Sequence, residues 1–382
     1  MTFLHEMLGA GSATLGYLLP FLFVLTLVIF FHELGHFLVA RWTGVRVLTF
    51  SIGFGPELFG FNDRRGTRWR VAAIPLGGYV RFAGDENAAS GPDVELLEKM
   101  TPEERRGSFF FAPLPSRAAI VAAGPIANFL LAIAIFAGVF MVAGRPVTEA
   151  MVDEIEPGSA AAEAGFAPGD LVLQINDSAI RSFSDMQRIV EVSADQPLRV
   201  VVERAGKQVT LEATPRLKEI SDPFGNKLKI GLLGIKRSTN QQNLRLERYG
   251  PVEAVVAGAQ ETWFQVSRTA SYLGRMVIGR ESTEQIGGPI RIAKTSGDFA
   301  SLGFLALLNL AAILSVSIGL LNLVPIPMLD GGHLLFYAIE ALRGRPLGPR
   351  MQEMGMRLGF ALVLALMLFA TWNDIVHLSS LG

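Results

Sequence analysis

The chain has 382 residues, no cysteine, 50% hydrophobic and 18% charged residues, and a mean hydropathy of +0.37. Such a composition indicates an integral membrane protein with a sizeable soluble part. The net charge of -1 is uninformative about a nucleic-acid partner, and no basic run suggests one. Without cysteine there are no disulfides or thiolate ligands, so a metal site would need histidines and carboxylates.

The first apolar segment, about residues 18–40, is long enough to cross a bilayer as one helix. No Lys or Arg precedes Arg41, so we expect a retained membrane anchor rather than a cleavable signal peptide. The ionisable residues of this segment are His32, Glu33 and His36, which form an HExxH pattern. Ionisable side chains are costly in hydrocarbon, so they indicate a functional site.

The spacing of this pattern suits metal chemistry. Positions four apart share one face of a helix, so His32 and His36 can turn ring nitrogens to a single metal ion. Glu33 is then placed to take a proton from an attacking water. The alternative is that these three residues have no function. It would leave three polar side chains buried in the span with no partner nearby in sequence.

Residues 41–116 are rich in Lys and Arg, which suggests a cytoplasmic loop. Their first half is rich in glycine and β-formers and predicts short strands with turns. A second span follows at about residues 117–143. Near its start lies Gly124-Pro125-Ile126-Ala127-Asn128, where small residues allow close helix packing and Asn128 is read as a polar residue that joins helices.

Residues 146–216 have the texture of a soluble domain. A strand and a turn–helix–turn segment come first, and alternating apolar residues from Leu198 to Glu212 predict a hairpin across Ala205-Gly206-Lys207. The pattern from Pro157 to Asp170 resembles a PDZ domain of the bacterial protease-associated kind. The resemblance implies that peptide ends or extended segments bind by strand addition.

The last third of the chain contains two more spans, at about residues 302–324 and 356–372, preceded by a helix at about 252–280. That helix could lie on the membrane surface or pack on the PDZ-like domain. Pro325 and Pro327 cannot sit in a regular helix, so the third span is broken near its end, just before Asp330.

These segments give one topology. The N-terminus is outside, residues 41–116 inside, 144–301 outside, 338–355 inside and the C-terminus outside. His32 lies roughly 21 Å into its span, and thus within about 9 Å of the cytoplasmic side of a core about 30 Å thick. The break at Pro325 also lies near the cytoplasmic end of its span. We therefore expect Asp330 and the two histidines to meet at one depth.

The motifs together resemble the site-2 protease family of intramembrane zinc metalloproteases, in its bacterial regulator-of-sigma-E-protease class. The motifs are His32-Glu33-Leu34-Gly35-His36, Gly53-Phe54-Gly55-Pro56, Pro75-Leu76-Gly77-Gly78-Tyr79-Val80, Gly124-Pro125-Ile126-Ala127-Asn128, the PDZ-like stretch, and Asn322 to Gly332.

The resemblance implies Zn2+ held by His32, His36 and Asp330, with Glu33 as general base. It also implies that Asn322 helps to hold the substrate strand or the transition state. The hairpin around Gly77 and Gly78 is similar to the membrane-associated β-element of the family, which would pair with an unwound substrate helix. Family members often carry two PDZ domains, whereas this chain shows one.

We therefore predict a polytopic α-helical membrane protein of about four transmembrane helices, with a membrane-associated β-hairpin element and an inserted α+β PDZ domain. The predicted domains are the first half of a membrane protease core at 1–143, a periplasmic PDZ domain and flank at 144–235, a periplasmic amphipathic helical linker at 236–301, and the second half of the core at 302–382.

The expected function is hydrolysis of a peptide bond in or near the transmembrane segment of single-span membrane proteins. A pre-trimmed anti-sigma factor or a remnant signal peptide would be such a substrate, in regulated intramembrane proteolysis. Further partners would be a peptide or C-terminus at the PDZ domain and membrane lipid, with no nucleic acid. The expected location is the bacterial inner membrane, with a periplasmic PDZ domain and an active site near the cytoplasmic side.

Two other functions remain open from the sequence. One is a PDZ-bearing membrane scaffold with a structural metal site, which would require a fourth protein ligand, and His333 is the candidate. The other is a metal transporter that uses the intramembrane histidines and aspartate as a transit site. Transporters often show internal repeats, and none is visible in this chain.

Overall fold

A computed structural model describes residues 2–85, 99–221, 227–237, 245–278 and 287–381. It divides into two compact units. The first contains Met1–Ile135 and Ile286–Gly382, and the second contains Phe136–Gln285. The long apolar helices belong chiefly to the first unit, and most of the short strands belong to the second.

The described elements are ten helices and twelve strands. The helices are α1 (Thr2–Trp42), α2 (Pro102–Arg106), α3 (Leu114–Val142), α4 (Ala160–Glu163), α5 (Phe183–Val192), α6 (Pro251–Val277), α7 (Pro289–Ser301), α8 (Phe304–Asn322), α9 (Asp330–Arg343) and α10 (Pro349–Leu381). The strands are β1 (Val47–Asn62), β2 (Arg68–Phe82), β3 (Arg145–Val147), β4 (Glu154–Ile155), β5 (Leu171–Ile175), β6 (Ser178–Ala179), β7 (Leu198–Arg204), β8 (Lys207–Ala213), β9 (Arg216–Ser221), β10 (Lys227–Leu232), β11 (Ile235–Lys236) and β12 (Arg245–Glu247).

Four of the described helices are long and apolar enough to cross a membrane. Each overlaps one of the four spans expected from hydropathy, so the prediction of a polytopic helical membrane protein is confirmed at this level. The segments are Leu15–Trp42, Leu114–Val142, Phe304–Asn322 and Arg350–Val376.

Strands β1 and β2 form one antiparallel hairpin, in which both strands bend. Four segments lie side by side, in the order 78–82, 47–52, 68–72 and 57–62. The sequence predicted short strands here, whereas the structure has two strands of 16 and 15 residues. Gly53 lies near the bend of β1 with a φ of 87°, which a residue with a Cβ rarely adopts.

An aromatic cluster anchors the hairpin to α1. Trp69 of β2 stacks on Phe50 of β1 with ring centroids 4.3 Å apart, and Phe37 of α1 meets Trp69 edge-on at 4.9 Å. Such offset and edge-on contacts add to the hydrophobic gain of burying the rings. The segment 78–82 is thereby left as an outer edge, with no described strand paired on its other side.

The third span breaks where the sequence predicts it. Helix α8 ends at Asn322, and α9 starts at Asp330. Between them Met328 has a φ of 89°, a conformation that costs energy for a residue with a Cβ. The first turn of α9 packs directly on this broken segment, because a Cβ at Gly332 would lie 2.3 Å from the carbonyl oxygen of Ile326. Asp330 is therefore held on the first turn of a helix, where its negative charge suits the helix dipole.

A part-buried ion pair connects α9 to the start of α3. The guanidinium of Arg117 donates to both carboxylate oxygens of Glu340, at 3.2 and 2.6 Å. The same guanidinium lies 5.0 Å from the ring centroid of Tyr337. Bidentate pairs of this kind fix geometry as well as contributing energy, so the helix that carries Asp330 is held against the second span.

A buried carboxylate ties the last span to α7. Asp374 in α10 is 1% exposed and accepts hydrogen bonds from the backbone amides of Gly288, Ile290 and Arg291. These amides belong to the start of α7, where helical N–H groups have no partner within the helix. The charge of Asp374 is therefore met by the N-terminal amides of α7 and by the guanidinium of Arg291, whose Nε lies 3.6 Å from Oδ1.

The second unit is built around a four-stranded sheet of order β6-β5-β7-β8. Its core includes Val172, Val200 and Val202, which are almost completely buried. The hairpin expected between Leu198 and Glu212 is present as β7 and β8. Helix α5 is capped at its start by Ser182, whose side-chain hydroxyl accepts a hydrogen bond from the backbone N–H of Asp185.

Three further strand pairs were not predicted from the sequence. Strands β9 and β10 pair with each other, β11 pairs with β4, and β12 pairs with β3. Residues 235–236 thus pair with residues 154–155, and residues 245–247 pair with residues 145–147, about 80–100 positions earlier in the chain. Short strands of two or three residues carry too little periodicity to be recognised without their partners.

Helix α6 packs on α5 within the second unit. Glu261 of α6 pairs with Arg188 of α5, and Ala254 and Ala257 are buried. On another face Val252 and Trp263 are exposed, the latter to 70%. Packing on the soluble unit, one of the two alternatives raised from the sequence, is therefore observed, and contact with a membrane surface stays a prediction.

Asp170 is a completely buried charge in the second unit. It accepts hydrogen bonds from two guanidinium nitrogens of Arg204, both at 2.7 Å, and from the amide of Ala167 at 2.9 Å. Burial alone would raise the pKa of Asp170, but these hydrogen bonds outweigh it and hold the pKa below its usual value.

We predict that Asp170→Asn destabilises the second unit by about 2 kcal/mol, because a buried charged acceptor is lost while its donors remain. The measurement is urea-dependent protease susceptibility of residues 136–285 in the full-length protein. The matched control is Asp177→Asn, since Asp177 is fully exposed and 3.8 Å from Arg199, and no change is expected there.

The stabilising contribution of the Asp170 carboxylate should depend on pH. A carboxyl with a depressed folded-state pKa stabilises the fold above its unfolded pKa, and this contribution disappears as the pH falls through the folded value. The difference between wild type and Asp170→Asn should therefore be full at pH 7 and shrink below about pH 4. A difference that stays constant down to pH 2 would contradict the assignment.

Candidate metal centre

Three side chains from two distant parts of the first unit meet at one point. His32 and His36 lie one turn apart on α1, and Asp330 comes from the first turn of α9. Nε2 of His32 is 3.2 Å from Oδ2 of Asp330, Nε2 of His36 is 3.6 Å from the same oxygen, and the two Nε2 atoms are 3.3 Å apart. Each residue offers one ligand atom, and these atoms all lie within 4.8 Å of one another. The expected trio is thus brought together.

The second nitrogen of each ring has a partner on α3. Nδ1 of His36 is 2.8 Å from the carbonyl oxygen of Ile120. Nδ1 of His32 is 3.2 Å from Nδ2 of Asn128, which is completely buried. In metal sites such outer contacts fix the tautomer and the orientation of a ligating ring.

The close approach of α1 and α3 requires glycine on both helices. A Cβ at Gly124 would lie 2.3 Å from Nε2 of His36 and 2.8 Å from Cε1 of His32. A Cβ at Gly35 would lie 2.2 Å from the carbonyl oxygen of Ala123. Small residues at helix contacts let backbones approach closely in membrane proteins, and here they leave room for the two imidazoles.

The trio lines a cavity of about 240 Å³. Glu33, Asn322 and Gly78, which the sequence analysis also singled out, line the same cavity. Gly77 does not line it. Gly77 has a φ of 119°, and a Cβ there would lie 2.4 Å from the ring of Phe54.

The outer edge of the hairpin runs beside Glu33. A Cβ at Gly78 would lie 3.1 Å from Cγ of Glu33 and 2.9 Å from the carbonyl oxygen of Ser51. The backbone N–H of Val80 faces the Glu33 carboxylate as a hydrogen-bond donor. Because backbone donors alternate along a strand, the N–H of Gly78 points to the same side.

The residues fit a zinc ion. Two imidazole nitrogens and one carboxylate oxygen form a ligand set of catalytic zinc sites, in which a fourth position remains for water or substrate. Oδ2 of Asp330 is buried and, among the described residues, receives no hydrogen bond of acceptable geometry, although Nε2 of His32 is near. A bound cation would stabilise this buried carboxylate oxygen.

His333 lines the cavity but does not belong to the group of ligand atoms found among the described residues. The closed four-ligand arrangement that a structural site requires is therefore not favoured. Tyr337 lines the same cavity, and burial raises the pKa of its phenol well above the usual value. The hydroxyl thus remains a neutral hydrogen-bond donor and acceptor.

Two contributors to this site were missed in the sequence analysis. Asn128 was read as a residue that joins helices, and the structure adds its contact with His32. Ile120 contributes only its carbonyl oxygen, which no side-chain pattern reveals. The available signal for Asn128 was its place in the Gly124-to-Asn128 motif of a membrane span.

The model of peptidase family M50 matches residues 20–366, which is most of the chain. The chain belongs to peptidase family M50. This M50 peptidase is 55% identical over 362 residues to a protein of Rhizobium meliloti (strain 1021) that is provisionally named a zinc metalloprotease, covering 94% of this chain and 97% of that protein.

Two other similar proteins are also named as metalloproteases. A protein of Agrobacterium fabrum with the same provisional name is 51% identical over 375 residues, which is 98% of this chain and all of the relative. Metalloprotease MmpA of Caulobacter vibrioides is 44% identical over 380 residues, or 94% of this chain and 95% of the relative. This M50 peptidase is accordingly a zinc metalloprotease and a membrane protein.

We predict that Gly124→Ala lowers the zinc content of the purified M50 peptidase below half of the wild-type value, because the added methyl group would overlap both imidazoles. Metal analysis of the full-length protein in detergent measures it. The matched control is Gly138→Ala on the same helix, where a Cβ would meet nothing within 4 Å. Equal zinc contents in the two variants would contradict the predicted clash.

Proposed function

We propose that this zinc metalloprotease hydrolyses a peptide bond in or near the transmembrane segment of single-span membrane proteins. The observation that carries the proposal is the position of Glu33 and the His32–His36–Asp330 trio. They line one cavity whose wall also includes an unpaired strand edge and the end of an apolar helix. Regulated intramembrane proteolysis is the process that such a site would serve.

We assign His32, His36 and Asp330 as the zinc ligands. Zinc, when bound, supplies a Lewis acid that polarises the scissile carbonyl and makes water more acidic. The short distances between the three ligand atoms support the assignment, as does the carbonyl oxygen of Ile120, which faces Nδ1 of His36 as an acceptor.

Glu33 is assigned as the general base. It would take a proton from the attacking water and later deliver that proton to the leaving amine nitrogen. Glu33 thereby returns to its starting state when the peptide bond has been cleaved. The amide of Val80 facing its carboxylate holds that side chain toward the cavity. The lower effective dielectric of a protein cavity strengthens the electrostatic effect of each group.

The substrate must enter as an extended segment. Backbone amides of a helix are bonded internally and shielded, so a transmembrane helix has to unwind before cleavage. The edge 78–82 has no described strand on its outer side and runs beside Glu33, and strand addition there would replace the hydrogen bonds lost on unwinding. We assign this role to Gly78, with Gly77 shaping the turn before it, and we assign Asn322 to hold the substrate strand or the transition state.

The second unit would select the substrate. We assign residues 144–235 to a PDZ domain on the basis of the sequence pattern and the small sheet with helices α4 and α5. Such a domain would bind a peptide or a new C-terminus, and would favour substrates already trimmed outside the membrane. A pre-trimmed anti-sigma factor or a remnant signal peptide has this form.

The location proposed for the protein is the bacterial inner membrane, in contact with its lipids. The positive loop at 41–116 and the arginines at 343, 345, 350 and 357 support a cytoplasmic position for both segments. The domain at 144–235 and the segment 236–301 would then be periplasmic, and the halves 1–143 and 302–382 would form the protease core, with its active site near the cytoplasmic side.

We predict that Glu33→Gln lowers cleavage of a trimmed single-span model substrate about 100- to 10,000-fold while zinc remains bound. The amide keeps the size of the side chain but cannot take a proton. Cleavage by purified protein and metal content are measured on the same samples. Asp330→Asn serves as the comparison and should lose both activity and zinc. Full cleavage by Glu33→Gln would refute the proposal for this residue.

We predict that Asn322→Ala lowers kcat/KM about 100-fold with zinc content unchanged, because a single amide donor to a developing charge is removed. The control is Leu321→Ala, since Leu321 is the neighbouring exposed residue of α8 and does not line the cavity. A loss of the same size in both variants would indicate disturbed packing of the helix end instead of lost substrate contact.

A further inference from the structure

Asn128 is the buried polar side chain at which three spans meet. It lies on α3 and is completely buried. Its side-chain amide contacts His32 on α1, and its backbone carbonyl accepts a hydrogen bond from the hydroxyl of Ser315 on α8 at 2.8 Å. A Cβ at Gly319 would lie 3.2 Å from the Cβ of Asn128. The surrounding backbone therefore fixes the position of this residue, while its amide group can still turn about its own bond.

The nitrogen and the oxygen of the Asn128 side-chain amide differ in their contacts. Nδ2 lies 3.2 Å from Nδ1 of His32. Oδ1 is buried and has no hydrogen-bond partner among the described residues. The oxygen and nitrogen of an Asn amide are nearly equal in size, so rotation by 180° exchanges them without changing the packing.

Nδ1 of His32 can form a hydrogen bond with the Asn128 amide in two ways, either as acceptor or as donor. When Nε2 of His32 carries the proton, it faces the lone pair of Nε2 of His36 at 3.3 Å, with Oδ2 of Asp330 3.2 Å away, and Nδ1 accepts from Nδ2 of Asn128. When Nε2 gives its lone pair to zinc, the proton is on Nδ1, and Nδ1 needs an acceptor. The imidazole is neutral in both forms, and the proton moves between its nitrogens by exchange with water.

His36 has no such choice. Its Nδ1 faces the carbonyl oxygen of Ile120 at 2.8 Å, and a carbonyl can only accept. In the neutral ring, Nδ1 of His36 therefore carries the proton, and Nε2 presents a lone pair. The two histidines thus differ: one is fixed in the form that binds metal, and the other is paired with a group that can both donate and accept.

We propose that Asn128 is a positioning residue for zinc binding, whose amide turns over to accept a hydrogen bond from Nδ1 of His32 when Nε2 of His32 binds the metal. The inference rests on the proposed function only in its assignment of His32 as a ligand. It explains why an amide occupies this site: an aliphatic side chain would leave Nδ1 of His32 buried and unpaired.

The test compares zinc affinity in the full-length protein in detergent, by competition with a chelator and without substrate. Asn128→Leu, which keeps the size of the side chain, should weaken zinc binding about 10- to 100-fold. Asn128→Asp restores an acceptor for Nδ1–H and should return the affinity to within about threefold of wild type. The packing control is Leu131→Ala, a buried site one turn away on α3, where the affinity should not change.

A second readout follows the tautomer itself. Nitrogen-15 NMR of labelled histidine should find the proton of His32 on Nε2 in the apoprotein and on Nδ1 in the zinc-loaded protein, with His36 protonated on Nδ1 in both. The proposal is overturned if Asn128→Leu binds zinc as tightly as wild type, or if the His32 tautomer is the same with and without zinc. Failure of the wild type to bind zinc would instead overturn the ligand assignment.

Discussion

The structure depends on how polar side chains are satisfied between apolar helices. Two imidazoles and a carboxylate are surrounded by segments whose composition is that of a membrane span, and each would be costly if left without partners. The partners come from other helices: the carbonyl of Ile120 for His36, the amide of Asn128 for His32, and the two rings for Asp330. The site is therefore a product of helix packing.

That packing is governed by the distance between α1 and α3. Gly35 and Gly124 face the opposite helix at distances that exclude even a methyl group. Without such an approach the carbonyl of Ile120 would not reach His36, and the amide of Asn128 would not reach His32. The same contact that brings the helices together thus orients both rings, which is the preorganisation that a catalytic metal site requires.

Asp330, the third proposed ligand, reaches the site by a different route. A continuous helix would carry its residues past the histidines, so the chain stops at Asn322 and begins a new helix at Asp330. The broken segment contains strained backbone at Met328, and it is stabilised by glycine contacts in the first turn of α9. The Arg117–Glu340 pair then holds the new helix against α3.

The sequence by itself determined the features that depend on local periodicity. The four spans follow from runs of apolar residues, the HExxH histidines share a face because of the helix repeat, the break follows from two prolines, and the β7–β8 hairpin follows from alternation around a turn. These features need no knowledge of neighbouring segments, since they follow from the geometry of a single element.

The tertiary structure alone decided which distant residues meet. Asn128 contacts His32 across 96 positions, His36 reaches a backbone oxygen 84 positions away, and Gly78 lines the cavity while adjacent Gly77 does not. It also decided that His333 stays outside the group of candidate ligand atoms among the described residues, and that β11 and β12 pair with β4 and β3. The physical reason is that such contacts depend on the approach and rotation of packed elements, which a one-dimensional repeat does not encode.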